Sequence, residues 1–328
     1  MRLTKKRLYN TALVLAVIIL IFTIFTIARK IEQRMYRGEV TIDDITIPEQ
    51  NGEIYYDSKW YTKNRDIETL LIIGADTFDG VDKTSSVQAD FNALLVIDNK
   101  NEKIDILHLN RDIMTDIKIK GDLGKYVGTE KRQLALSYAY GDRVSERAAN
   151  TKWAIQNLLY DTEIDNYICL NMDRVKDVND LVGGVTVTVN EDMTNVDASF
   201  TKGNTITLKG KQALSFVRAR MSVGDGTNLL RMERQKSYMY AFVKKLQSSL
   251  ESDSEFAYRA VEELIDYITT DYTVQELLKL ADEKDQYDIG EIITLSGDVN
   301  YDNTFVEYYP DENALRKTVI DLFYVEKQ

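Results

Sequence analysis

The chain has 328 residues, 44% of them apolar, enough to bury a sizeable core as one large domain or two small ones. It carries 41 Lys+Arg against 53 Asp+Glu, a net charge of −12; residues 1–40 hold eight Lys/Arg and two Asp/Glu, which leaves −18 for residues 41–328. Such an acidic body repels phosphate backbones, so general nucleic-acid binding is excluded unless there is a compact basic patch. One cysteine, Cys169, excludes an internal disulfide.

Between Arg7 and Arg29 lie 21 residues without a charge, "LYNTALVLAVIILIFTIFTIA". At about 1.5 Å per residue they span roughly 31 Å, the thickness of a bilayer's hydrocarbon core. The run ends in "TIARKIEQRMYR", with no small-residue cleavage site, so an uncleaved single-pass anchor is expected over 8–28, after a short tail at 1–7. Basic residues flank it on both sides, and the positive-inside rule favours a cytoplasmic N-terminus only slightly. Residues 29–66 are polar and irregular and read as a stalk plus the first edge of a domain that occupies 67–328.

Strand and helix signals then alternate. "LLIIGAD" (Leu70–Asp76) is a buried strand, and "FNALLVIDNKNEKIDILHLNRD" is two strands joined at Asn99–Asn101. "SERAANTKWAIQNLLYD" is an amphipathic helix with Ala148, Ala149, Ile155, Leu158 and Leu159 near one face. A strand "NYICLNMD", a helix ended by Gly183-Gly184, and an alternating strand "VTVTV" follow. "KGKQALSFVRAR" and "RMERQKSYMYAFVKKLQSSL" are helices, as are "EFAYRAVEELIDYIT" and "TVQELLKLADE". A strand "EIITLSG" and a last helix in "DENALRKTVIDLFY" close the chain. No Pro/Gly/Ser-rich linker follows residue 66, which predicts one mixed α/β domain with a central sheet flanked by helices.

Familiar catalytic signatures are absent. There is no "GxxxxGK" loop and no G-x-G-x-x-G after a strand, and the single histidine, His108, alternates with Leu107 and Leu109 as a core residue does. Carboxylates and arginines remain. Asp76 ends one strand, Asp90 opens the next, and Arg111 and Asp112 end the third. Strand ends hold catalytic groups rigidly, and paired carboxylates without histidine suit Mg2+; the same residues also serve as ordinary turn and cap residues. In "VRARMSVGDGTNLLRMERQ" (Val217–Gln235), Arg218 and Arg220 close one helix, and Arg231, Arg234 and Gln235 open another at spacings that share a face. Guanidinium groups fork onto phosphate oxygens, and a phosphate at the second helix's N-terminus gains from its dipole. The alternative is a solvated face paired with Asp225 and Glu233.

These motifs, in this order, resemble the LytR–CpsA–Psr group of cell-envelope proteins. "IIGAD" resembles its "LLGxD", and "QAD" (Gln88–Asp90) its "R-S/A-D". "NRD" (Asn110–Asp112) resembles "PRD", "SYAYGD" (Ser137–Asp142) resembles "AYxxGG", and "GGVTVTV" matches "GGV-x-V". "LKGKQALSFVRARMSVGDGTNLLRMERQ" matches "L-x-G-x-x-AL-x-[FY]-VR-x-R…R-x-x-RQ". The resemblance is strongest over 67–240. It implies a membrane-anchored phosphotransferase with its domain outside the cell, moving a glycopolymer (teichoic acid, capsule or similar) from a polyprenyl-pyrophosphate carrier to peptidoglycan; the acidic body and the lack of a basic recognition helix argue against a nucleic-acid partner. By the same resemblance Asp76 and Asp90 hold Mg2+, and Arg111, Arg218, Arg220, Arg231 and Gln235 bind the pyrophosphate. Arg111, Arg231 and Gln235 match the family's catalytic positions; Asp112 is expected to act in catalysis with them, and the general base is left open between Asp90 and Asp112, both acidic and near the expected site. Gln88 stands where the family has arginine, Ala135 where it has asparagine before "AYxxGG", and Asp142 replaces the second glycine. A non-catalytic polyprenyl-phosphate-binding protein and a membrane-bound regulator remain alternative readings.

Overall fold

Ten residues, Ile67–Asp76, are apolar nearly throughout, and the strand they form (β3) is buried along both faces, as the centre of a covered sheet requires. In the computed structural model, residues 53–76, 87–121, 124–220, 223–224, 226–253, 255–284, 286–301 and 305–327 are described. The anchor expected over 8–28, the tail 1–7 and the stalk up to residue 52 lie outside them. Among the described residues no helix is long and apolar enough to cross a membrane.

Strand β3 lies within a six-stranded mixed sheet. Its members are β4 (Gln88–Asp98), β5 (Lys103–Leu109), β8 (Asn166–Asn171), β11 (Ile268–Thr270) and β12 (Asp288–Thr294), in the order β11-β8-β3-β4-β5-β12. β4 runs antiparallel to β3 and β5, β8 runs parallel to β3, and β12 runs parallel to β5. The carboxyl ends of β3, β5, β8 and β12 and the amino end of β4 therefore share one edge of the sheet. The β4–β5 turn falls at Asn99–Asn101 as expected, where Asp98 Oδ1 accepts from the backbone N–H of Lys100 and Asn101 at 3.0 Å each.

One face packs Leu71, Ile73, Leu94, Val96 and Leu107 against the helices α1 (Val144–Leu158) and α7 (Glu312–Phe323). The other face presents Ala93, Ile106 and Ile292, with Phe91 and Met239 packed on them; Met239 belongs to the long helix α4 (Asn228–Ser252). A second core joins β9 (Val185–Thr188), β10 (Thr205–Leu208), α3 (Lys211–Arg218) and α4 through Val187, Phe200, Phe216 and Tyr238. The chain also contains α2 (Val175–Leu181), α5 (Phe256–Leu264), α6 (Val274–Lys284), and two hairpins, β6–β7 (Met114–Lys120, Tyr126–Gln133) and β13–β14 (Gly297–Asn300, Glu307–Pro310). A separate compact unit is the three-stranded sheet of β1 (Glu53–Tyr56), β2 (Lys59–Lys63) and β15 (Tyr324–Glu326). Its tight turn places Asp57 and Ser58 at φ 47° and 63°. Residues 53–56 and 59–63, read as stalk and first domain edge, are thus strands.

Three local expectations change. Ala149 is exposed, and α1 buries Ala148, Asn150, Thr151, Ala154 and Ile155 instead. The helix expected through Thr269 stops at Leu264, because β-branched Ile268, Thr269 and Thr270 pair with β8 as an edge strand. The helix carrying Arg231 begins three residues earlier, at Asn228, with the Thr227 hydroxyl accepting from the Leu230 N–H at 3.4 Å.

Candidate active site

The shared sheet edge gathers the charged residues. Asp76 ends β3 opposite Gln88, the first residue of β4. Ala75 pairs with Ala89, but Gly74 pairs with Phe91, so Asp90 is the extra residue of a β-bulge. The bulge flips the strand's faces: Ala89 joins the core beneath Leu94 and Val96, which normal alternation would forbid. Asn92 Nδ2 closes it by donating to the Ala89 carbonyl at 3.1 Å. Gly74 is required opposite it, because a Cβ there would press on Met172 Sδ and lie 2.9 Å from Phe91 Cβ.

Arg111 and Asp112 leave β5 in a turn pinned by the Asn110 Oδ1, which accepts from the Asp112 N–H at 2.9 Å and from Asn228 Nδ2 at 2.6 Å. The Arg111 guanidinium runs back along the edge, with Nη1 on Asp90 Oδ1, Nη2 on Gln88 Oε1, and Nε 3.3 Å from Asp112 Oδ1. Arg218, the last residue of α3, pairs with Asp76 and, at 3.0 Å, with Asp173, just beyond β8. Arg220 donates Nε to the Gly226 carbonyl at 3.3 Å and brings Nη2 to 3.9 Å from Asp112 Oδ2.

Arg231 is buried, and its Nε has no hydrogen-bond partner. Burial lowers its pKa to about 10; Asp90 opposes the shift and Arg111 and Arg220 add to it, so the side chain stays charged at neutral pH. Asp112 is buried too. Burial raises its pKa, against the opposing pull of Arg111, Arg220 and Arg231. Gln133 Nε2 donates to its Oδ1 at 2.9 Å, while its Oδ2 is buried without a hydrogen-bond partner. The structure thus brings Asp76, Asp90, Arg111, Asp112, Arg218, Arg220 and Arg231 into one connected set of charges.

Arg234 and Gln235, expected to point with Arg231, are engaged elsewhere. Arg234 donates Nε to the Phe216 carbonyl at 3.1 Å, Nη2 to the Ala219 carbonyl, and Nη1 to Glu191. Gln235 Nε2 donates to the Val217 carbonyl at 3.1 Å, and the side chain also hydrogen-bonds His108. Both brace the C-terminal turn of α3, the turn that carries Arg218 and leads to Arg220. His108 is buried, with its ring 5.1 Å from that of Phe91. Its pKa falls to about 3, chiefly from burial and then from Arg231 and Lys236, so it is neutral. Cys169 is a buried core thiol pushed up to about 11 by burial, 3.3 Å from the Tyr138 hydroxyl. Sequence reasoning missed Asp173, although it too is a carboxylate just past a strand, and it missed Asn110, Gln133 and Asn228, which carry no signal outside the fold.

The LytR_cpsA_psr family model matches residues 20–322. The chain belongs to that family. A relative from Bacillus licheniformis, the polyisoprenyl-teichoic acid–peptidoglycan teichoic acid transferase TagU, is 31% identical over 182 residues, 56% of this chain and 53% of the relative. The chain thus spans about half the length of the curated relatives it matches. Among solved structures, Bacillus subtilis TagU is 25% identical with a TM-score of 0.53, covering 79% of this chain and 96% of that one. TagT bound to LIIa-WTA has a TM-score of 0.58 at 21% identity, covers 87% of this chain and 96% of that one, and shares the fold. The family and the mixed α/β architecture expected from the sequence are both borne out.

Proposed function

We propose that this chain is a membrane-anchored, extracytoplasmic transferase that moves a teichoic-acid-type glycopolymer from a polyprenyl-pyrophosphate carrier to peptidoglycan. The observation that carries the reading is the convergence of Arg111, Arg218, Arg220 and Arg231 with Asp76, Asp90 and Asp112 at one sheet edge. The relatives' names supply the substrate class. The uncharged run at 8–28 supplies the anchor, beside which a lipid-linked donor lies.

Asp76 and Asp90, oxygen donors on adjacent strands, are the residues that would hold Mg2+. Such a pair suits an ion that keeps waters and shares phosphate oxygens. When bound there, Mg2+ would neutralise charge on the pyrophosphate. The four arginines hold the phosphate oxygens and stabilise the charge that spreads over them in the transition state. Asp112, whose Oδ2 has no hydrogen-bond partner, takes the proton of the attacking hydroxyl, while Asp90 is held by Arg111. Gln235 and Arg234 act as positioning residues for Arg218 and Arg220.

The test uses the full chain in detergent, with a polyprenyl-pyrophosphate-linked teichoic acid donor and peptidoglycan fragments. Asp90→Ala and Arg218→Ala each lower transfer by about 10²- to 10³-fold, as losing one preorganised charge contact does. Undiminished transfer in both variants sinks the site assignment.

A further inference from the structure

A cavity of about 140 Å³ opens beside the arginine cluster, at the amino end of α4. Asp112 and Arg220 form its boundary with the site described above; Asn110 and Asn228 lie at its base, and Val299 and Tyr308 form an apolar wall. Tyr301 and Leu229 stand exposed at its mouth.

Its polar lining is unusual. Asp112 Oδ2 and Asn228 Oδ1 are both buried and without a hydrogen-bond partner. The orientation of the Asn228 amide follows from its neighbours. Asn110 Oδ1 accepts from the Asp112 backbone N–H, so it is an oxygen, and the Asn228 atom 2.6 Å from it is therefore the NH2. That leaves the Asn228 oxygen as an acceptor. The residues that carry these two orphaned acceptors line a cavity whose charges, Asp112 and Arg220, cancel, and this calls for a neutral ligand rich in O–H or N–H donors. An anion does not satisfy them. A cavity of about 150 Å³ takes one six-membered ring, and the apolar wall suits a ring's C–H face.

We infer that this cavity is the subsite for a sugar ring of the acceptor glycan, which it presents hydroxyl-first to Asp112. The inference rests on the transferase reading above. In the step it serves, the acceptor oxygen bonds to the phosphorus that bears the glycopolymer, and the anhydride bond from that phosphorus to the bridging oxygen breaks. Polyprenyl phosphate leaves with the bridging oxygen and its electron pair, and the hydroxyl proton passes to Asp112. A sugar of the donor brings the same ring chemistry but no attacking hydroxyl, and the cavity's contact with Asp112 favours the acceptor.

Two variants test the subsite in the full chain in detergent: Val299→Trp, which fills the cavity, and Tyr301→Ala, which removes the exposed ring at its mouth. With a peptidoglycan glycan fragment as acceptor, each raises the acceptor KM by about tenfold while the donor KM moves less than twofold. A rise in donor KM instead makes the cavity a donor subsite and overturns the inference, as does no change in either. If Val299→Trp does not fold, Tyr301→Ala decides alone. Should the wild type turn over no donor at all, the transferase reading fails separately. Saturation-transfer NMR with the same glycan fragment and donor-free wild type still tests the cavity, with signal lost in Tyr301→Ala expected and no wild-type signal overturning it.

Discussion

The chain's single histidine makes one electrostatic consequence of the fold separable from all others. His108 is buried between Phe91 and Gln235 beneath Arg231, and its pKa is pushed from 6.5 down to about 3. The folded protein therefore keeps it neutral while the unfolded chain takes up a proton near the ordinary value. The folded pKa is depressed, so stability is present above about pH 6.5 and is lost as pH falls toward 3. Between pH 7 and pH 5 the linkage relation gives a loss of about 2 kcal/mol from this group alone. The assay is denaturant unfolding of the full chain at a series of pH values across that interval, wild type against His108→Asn. The wild-type free energy falls by about 2 kcal/mol more than the variant's, since the other groups titrate alike in both. Parallel curves, or an imidazole that titrates near its ordinary value by NMR, refute the reasoning. The functional corollary is that a neutral imidazole adds no further cation under a guanidinium already lowered to about 10.

Two further substitutions probe the supports of the site. Gly74→Ala puts a methyl against Met172 Sδ and 2.9 Å from Phe91 Cβ, so the bulge that aims Asp90 must shift; a loss of about 1–3 kcal/mol in unfolding free energy is expected, with transfer activity falling alongside. Arg234→Ala deprives the Phe216 and Ala219 carbonyls of their donor and leaves Glu191 without its cation; the expected cost is about 3–5 kcal/mol, read as a fall in Tm.

The strand ends were legible because apolar runs stop abruptly there, and so Asp76, Asp90, Arg111 and Asp112 read as strand-end residues; that they share one edge follows from the strand pairing. The bulge at Asp90 was not legible: it appears only when the register of β4 against β3 is known, and "QADFNALLVID" alternates no differently for having it. Helical spacing put Arg231, Arg234 and Gln235 within reach of one another, but spacing does not say what a face meets. α4 buries all three, and the neighbour of Arg234 and Gln235 is the end of α3 rather than an anion. Asp173 is one of many carboxylates that follow an apolar strand, and only its 3.0 Å pairing with Arg218 sets it apart. The β6–β7 hairpin went unread because β7, "YVGTEKRQ", is mostly exposed and lacks a strand's apolar alternation.

The resting edge is balanced: Arg111, Arg218, Arg220 and Arg231 face Asp76, Asp90, Asp112 and Asp173. An arginine at position 88 would tip that balance positive and set a second guanidinium beside Arg111. Gln88 instead accepts a hydrogen bond from Arg111 Nη2, so the neutral amide orients a cation where the family pattern supplies one. Under the proposed function, an incoming pyrophosphate meets no surplus of fixed charge. It gains by displacing carboxylates from partly exposed guanidinium groups, an exchange of similar contacts with little net change. Arg231 is different, because it is buried, its pKa is depressed chiefly by that burial, and its Nε has no partner. An anion reaching Arg231 offsets a desolvation cost already incurred on folding, whereas one reaching Arg218 must first break a pair with Asp76. Binding energy in this site therefore concentrates on Arg231, and Gln88 shifts the burden of the missing charge onto it.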